Sequence, residues 1–254
     1  MQIFIFDTPE AASRAAGEYV NAEIRKNPKL VLGLATGSTP LGLYKEMAEA
    51  CKAGLDYSQV RSFNLDEYYG LQPDHPQSYR RFMNENLFDH LNIDKANTRV
   101  PDGTAADPAA FCAEYEAAMK AAGGVDIQVL GIGSDGHIGF NEPGSSLVSR
   151  TRVVALTPQT ISDNARFFEK ADDVPRKAIS MGVGTIMEAK TCLMLCFGAN
   201  KATAVQGMIE GGITQFNPAS ILQMHPDTRV YLDEAAASKL TLKDYYKWAG
   251  SCGL

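Results

Sequence analysis

The chain has 254 residues, of which 45% are hydrophobic and 21% charged, as expected for a globular protein with a sizeable core. Its net charge of −6 and pI near 5.3 argue against nucleic acid or an anionic membrane as main partner, although a small cationic pocket remains possible. Without a secretion signal, a run of roughly 20 apolar residues or a CxxC pair, we expect a cytoplasmic protein that uses no membrane partner.

The first strands enclose a turn that is suited to bind an anion. Residues 2–6 predict a strand, and Thr8 and Pro9 predict the start of a helix. A second buried strand over 30–35 runs into the glycine-hydroxyl turn 36–39, before Pro40 and a further helix. Free amides and the positive end of a helix dipole favour a phosphate at such a junction. The turn is equally compatible with its last threonine simply capping the helix.

Two carboxylates follow a third predicted strand, over residues 60–65. One of them, Asp66 or Glu67, is expected to face the crevice at the carboxyl edge of a parallel sheet; the alternative, a solvated turn, is favoured more for Glu67 than for Asp66. The helical apolar period of residues 78–90 then predicts a surface position for Arg80, Arg81 and His90. His75, in a turn flanked by prolines, is also expected at the surface.

The central stretch is VLGIGSDGHIGFNEPG, residues 129–144, which follows a predicted buried strand over 125–132. It brings Asp135, His137 and Glu142 together within eight residues, as acid/base chemistry requires, and glycines such as Gly136 let its backbone approach a ligand. Pro143 argues against the helix that a dinucleotide fingerprint must open, and the spacing is not typical of a metal site. We therefore expect neither NAD nor a metal.

The rest of the chain alternates predicted strands and helices. A β-rich run precedes residues 157–178, a polar segment that we interpret as a mobile lid carrying Arg166. Further strands are predicted over 179–183 and 191–197, the latter ending near Lys201, whose ammonium could meet the same anion. The chain is thus expected to be α/β, a single domain over residues 1–254 with a doubly wound, mostly parallel Rossmann-like sheet and helices on both faces.

Four separated motifs, TGSTPLGLY, FNLDEY, GIGSDGHIGFNEP and SRTR, together resemble the glucosamine-6-phosphate deaminase family through nearly the whole chain. The resemblance implies conversion of glucosamine 6-phosphate and water to fructose 6-phosphate and ammonia, without a cofactor. It assigns Asp66 as the base for the carbon-2 proton and His137 to ring opening, tuned by Asp135 and Glu142. The implied substrate contacts are Thr36, Gly37, Ser38, Thr39, Gly136, Arg166 and Lys201.

Two alternatives remain open at this point: a 6-phosphogluconolactonase-like hydrolase, and a sugar-phosphate-sensing protein without catalysis. Asn141 to Pro143 favour the deaminase. Allosterically activated members look like Arg-x-Lys-Thr after the catalytic loop, but this chain has Arg152, Val153, Val154 and Ala155. We therefore expect weak or absent activation by N-acetylglucosamine-6-phosphate, and the assembly, with a homo-oligomer allowed, stays open.

Overall fold

The computed structural model describes residues 1–164, 168, 170 and 173–252. Its strands are β1 (Gln2–Phe6), β2 (Val31–Leu34), β3 (Arg61–Asn64), β4 (Asp66–Tyr68), β5 (Thr98–Arg99), β6 (Ile127–Gly131), β7 (Arg152–Ala155), β8 (Lys177–Ser180), β9 (Thr191–Cys196) and β10 (Thr228–Asp233). Its helices are α1 (Pro9–Lys26), α2 (Leu41–Lys52), α3 (Tyr79–Asn86), α4 (Pro108–Ala121), α5 (Pro158–Asn164), α6 (Val183–Ile186), α7 (Ala202–Ile209) and α8 (Lys243–Ser251).

Seven strands form a parallel sheet in the order β1-β10-β9-β6-β2-β3-β5. Its central strands β2 and β9 are buried along their whole length, which explains their nearly continuous apolar sequences. Side chains of α1, α2 and α3 pack on one face of this sheet, and side chains of α4 and α7 pack on the other. The predicted doubly wound α/β architecture is therefore confirmed.

The N-cap predicted for the first helix is present in the structure, whereas the one considered for the second helix is not. Thr8 caps α1 as predicted, because its Oγ1 accepts the backbone N–H of Ala11 at 3.1 Å. By contrast, α2 begins after Pro40 with no side-chain cap. The alternative in which Thr39 serves as an N-cap is therefore wrong, and its hydroxyl is available for another role.

A second sheet, which the sequence did not predict, lies beside the carboxyl ends of the parallel strands. It is antiparallel, with the order β4-β8-β7. Asp66 and Glu67 accordingly lie in a short strand and not in a turn, and the strand predicted over 179–183 ends at Ser180 instead. The backbone of Leu65 bonds to Leu34 in the large sheet and to Met181 after β8, so it joins the two sheets just before Asp66.

One predicted surface residue is structural. The Arg80 guanidinium is half-buried and donates to Thr98 Oγ1 and to the Thr98 carbonyl, both at 2.8 Å, which ties α3 to β5. Arg81 and His90 are exposed as predicted, while His75 is half-buried. Among the helices described, none combines the length and hydropathy that a membrane-spanning segment needs.

Candidate active site

A cavity of about 230 Å³ opens at the carboxyl ends of β2 and β6 and beside β4. Parallel strands end at one edge of their sheet, so residues far apart in the sequence meet there. Asp66 and His137 both lie on its wall, as the sequence predicted. Among the described residues, the lining consists of Ala35, Thr36, Thr39, Leu65, Asp66, Tyr79, Gly131, Ile132, Gly133, His137, Gly139, Phe140 and Thr160.

The imidazole of His137 is held between two carboxylates. Its Nδ1 lies 2.8 Å from Asp135 Oδ1 and 3.6 Å from Glu142 Oε2. Hydrogen bonding with the His137 side chain lowers the pKa of Asp135 to about 2. Asp135 is therefore an anion at neutral pH, and it engages one ring nitrogen, so Nε2 is the nitrogen that can exchange a proton with a ligand.

Two positions of the loop require glycine, each for a different structural reason. A Cβ at Gly133 would lie 2.3 Å from His137 Nδ1, so the ring packs directly on the backbone of residue 133. Gly136 has a φ of +92°, and a Cβ there would lie 2.3 Å from Asn217 Oδ1. Its carbonyl accepts the N–H of Ala219 at 3.0 Å. The structure thus places Gly136 against the segment that supports the loop, and its substrate contact remains a prediction.

Asp66 combines burial with a neighbouring acid. Burial, and then the charge of Glu67, raise the pKa of Asp66 to about 8. Glu67 is also buried, so its assignment to a solvated turn was wrong; its carboxylate accepts the backbone N–H groups of Tyr68, Tyr79 and Arg80 at 2.9 to 3.0 Å. Burial raises the pKa of Glu67 to about 7, although these three hydrogen bonds oppose the rise. Glu67 thereby joins β4 to the start of α3.

Glu142 is held by hydroxyl groups that the sequence analysis missed. Its Oε1 accepts Thr160 Oγ1 at 2.5 Å and Thr157 Oγ1 at 3.3 Å, while Oε2 faces His137. Thr160 lies on α5 and also lines the cavity. The polar start of the predicted lid was the available signal, but it did not specify these contacts. Arg166 lies outside the described residues, so its predicted role stays a prediction.

The predicted phosphate turn lies on the same cavity. Thr36 and Thr39 line its wall, and the exposed residues Gly37 and Ser38 form the turn between them, with a φ of +93° at Gly37. Lys201 lies in a helical turn just before α7, and it is not part of the cavity lining among the described residues. The turn that precedes α2 is therefore the predicted anion-binding element that borders the cavity directly.

Two aromatic residues also define the wall. Tyr79 belongs to the apolar period predicted over residues 78–90, yet it contacts the cavity, and Phe140 stacks on it with ring centroids 6.0 Å apart. The ring of Tyr68 also packs against Tyr79, with ring centroids 4.9 Å apart. The position of Tyr79 is fixed by the hydrogen bond from its backbone N–H to the Glu67 carboxylate. The sequence pattern does not reveal this contact.

One group of side chains has the donors that a metal ion would need. Asp135, His137 and Glu142 each offer one ligand atom, and these atoms lie within 4.8 Å of one another. The 2.8 Å separation between Asp135 Oδ1 and His137 Nδ1 is that of an ion-pair contact, which is the arrangement that acid/base chemistry uses. The expectation that no metal takes part stays a prediction.

Comparison with known proteins agrees with this geometry. A profile of the family described as glucosamine-6-phosphate isomerases/6-phosphogluconolactonase matches residues 7–231. A glucosamine-6-phosphate deaminase of Cellvibrio japonicus is 54% identical over 248 residues, which are 97% of this chain and 94% of the relative. A monomeric glucosamine-6-phosphate deaminase of known structure superposes with a TM-score of 0.91 at 43% identity, over 94% of this chain and 99% of that chain. The 6-phosphogluconolactonase of Trypanosoma brucei shares the fold, with a TM-score of 0.75 at 22% identity over 94% of this chain and 98% of its own.

Proposed function

The chain belongs to the glucosamine-6-phosphate isomerase/6-phosphogluconolactonase family, and on that premise we propose that it converts D-glucosamine 6-phosphate and water to D-fructose 6-phosphate and ammonia. The observation that carries the proposal is the meeting of Asp66, His137 and the 36–39 turn on one cavity, in a chain 54% identical to a deaminase. The reaction needs no net redox change, so proton transfers within this cavity, followed by addition of water at carbon 2 and loss of ammonia, account for it.

Asp66 is the base that removes the carbon-2 proton in this proposal. Its raised pKa of about 8 supports the role, because a carboxylate with a pKa near the working pH accepts a proton from carbon more readily than an ordinary one. The same group, once protonated, can return the proton to carbon 1 and so complete the aldose-to-ketose shift. The imine at carbon 2 is then hydrolysed, which releases ammonia and leaves the carbonyl of fructose 6-phosphate.

His137 opens the pyranose ring. The ring oxygen must gain a proton while the hydroxyl on carbon 1 loses one, and an imidazole fixed at Nδ1 can pass a proton through Nε2. Asp135 and Glu142 support this role because carboxylate oxygens of both lie within 3.6 Å of Nδ1 and orient the ring.

The 36–39 turn holds the non-reacting end of the substrate. Amide groups at the start of α2 and the hydroxyls of Thr36 and Thr39 provide donors for a phosphate, which anchors carbons 1 and 2 near the carboxylates. Ser38, Arg166 and Lys201 complete this set in the proposal. The single-chain lining supports a site that one subunit can form, and the five free thiols agree with work in the cytoplasm.

Purified protein assayed with glucosamine 6-phosphate tests the proposal. We expect ammonia and fructose 6-phosphate in equal amounts, and no hydrolysis of 6-phosphogluconolactone at comparable enzyme concentration. Lactone hydrolysis without ammonia release would replace the proposal by the lactonase alternative. Binding of the sugar phosphate without either product would instead favour the sensing protein.

A further inference from the structure

A row of three side chains crosses the small antiparallel sheet. Asp66 in β4 pairs with Ser180 in β8, and Ser180 pairs with Arg152 in β7. Residues that lie directly opposite each other in antiparallel strands project from the same face of the sheet. The proposed base, a buried hydroxyl and an arginine therefore share one face, although they come from distant parts of the chain.

The catalytic loop packs against this row. Ser180 Oγ accepts the backbone N–H of Phe140 at 3.1 Å. A Cβ at Gly139 would lie 3.2 Å from Ser180 Oγ and 3.4 Å from Asp66 Oδ2, so a larger residue there would press on both side chains, and the φ of +55° also favours glycine. The position of the loop relative to Asp66 is thus set across this contact.

Arg152, the third residue of the row, binds the catalytic loop through Asn141. Its Nη1 donates to Asn141 Oδ1 at 2.9 Å, and the fully buried Asn141 donates through Nδ2 to the carbonyls of Ile138 and Met181 at 2.9 and 2.8 Å. Asn141 lies between His137 and Glu142 in the sequence. The guanidinium therefore holds the amide that bridges the catalytic loop and the strand end after Ser180.

We propose that Arg152 is a positioning residue, which acts through Asn141 to keep His137 and Glu142 in register with Asp66 on the small sheet. The proposal rests on the deaminase function put forward above. It assigns to Arg152 a part in basal turnover, independent of any effector. Deleting its hydrogen bond should misplace the loop relative to the carbon-2 proton, and small misplacements of reacting groups reduce turnover steeply.

Arg150 provides a matched control on the same segment. Its guanidinium lies against a different pair of groups, donating from Nε to Glu116 at 2.9 Å and from Nη1 to Glu188 at 2.5 Å. Neither carboxylate lines the catalytic cavity. Arg150→Met therefore removes the same charge and the same bulk from the neighbouring residue but leaves Asn141 held.

The experiment compares Arg152→Met with Arg150→Met in the ammonia-release assay, using substrate with hydrogen or deuterium at carbon 2. Arg152→Met should lower kcat about tenfold, change KM less than twofold and raise the deuterium isotope effect on kcat. Arg150→Met should keep kcat and the isotope effect, whatever it does to the melting temperature. Asn141→Ala combined with Arg152→Met should cost no more than the larger single effect, because both act through one contact.

Equal kcat values and isotope effects for the two arginine variants would overturn the proposal, as would fully additive effects of the two substitutions at the contact. If Arg152→Met does not fold, Ser180→Ala removes the hydroxyl that accepts the Phe140 N–H and donates to the Met181 carbonyl, and it should still raise the isotope effect; an unchanged isotope effect would count against the proposal. A wild-type protein that releases no ammonia would contradict the deaminase function, which is a different failure.

Discussion

Replacing Asp66 by asparagine should stabilise the protein at alkaline pH. In the folded state the pKa of Asp66 is raised from 3.8 to about 8, mainly by burial. Between these values the folded protein keeps a proton that the unfolded chain has released, so the free energy of unfolding falls as pH rises through this window. An asparagine has no such proton and escapes this loss.

The size of the effect follows from the shift. Each pKa unit corresponds to about 1.4 kcal/mol, and the shift of Asp66 sets a ceiling near 6 kcal/mol above pH 8. Water reaches the carboxyl from the cavity and relieves part of this cost, so we expect Asp66→Asn to exceed wild type by on the order of 3 kcal/mol at pH 9. At pH 5 most of this difference should vanish. Part of the difference comes from the charge of Glu67, which raises the pKa of Asp66 and has no carboxylate to act on in the variant.

Urea unfolding of both proteins at pH 5, 7 and 9 measures the prediction, provided that the denaturant slopes agree. Asp135→Asn is the matched control, because the pKa of Asp135 is lowered to about 2. Its carboxylate stabilises the fold above its ordinary pKa, and that contribution is lost only as pH falls toward 2. The control should therefore be less stable than wild type from pH 5 to pH 9. An Asp66→Asn variant with a pH-independent difference from wild type would refute the reasoning.

Three further predictions concern the cavity and its surroundings. Thr160→Val should lower kcat roughly tenfold in the ammonia assay, since it removes a hydroxyl that holds Glu142, whereas Thr160→Ser should retain activity; equal losses in both would argue against the hydroxyl. Gly133→Ala should fold but lose most of its kcat, because its Cβ must displace the His137 ring, and wild-type kcat would contradict this steric account. N-acetylglucosamine-6-phosphate should not raise the rate at low substrate concentration, because Val154 takes the place of the lysine in the Arg-x-Lys-Thr pattern that activated members resemble. A sigmoidal rate curve sharpened by the compound would contradict this prediction.

The parallel sheet could be predicted from the sequence because each of its inner strands has a recognisable local pattern. Strands β2, β6 and β9 are short runs of apolar residues buried on both faces, and glycines or polar residues end them. The edge of the sheet then follows from topology, which is why Asp66, His137 and Thr36 could be expected near each other.

The small sheet could not be predicted in the same way. The triplet Asp66 to Tyr68 has the polar composition of a turn, and it becomes a strand only because β8, far along the chain, pairs with it. Arg80 is half-buried for a similar reason, since Thr98 supplies acceptors that no local pattern shows. The contact of Thr160 with Glu142 likewise depends on how α5 packs. The positions of groups that are fixed by long-range contacts therefore could not be predicted from local sequence patterns.

Turnover by Asp66→Asn tests the central claim most directly. If Asp66 removes the carbon-2 proton, the variant should fold normally, as judged by its unfolding transition, and should release ammonia from glucosamine 6-phosphate about 10² to 10⁴ times more slowly than wild type. An Asp66→Asn protein with near-wild-type turnover would contradict the claim, because the carboxylate would then have no part in the proton transfer.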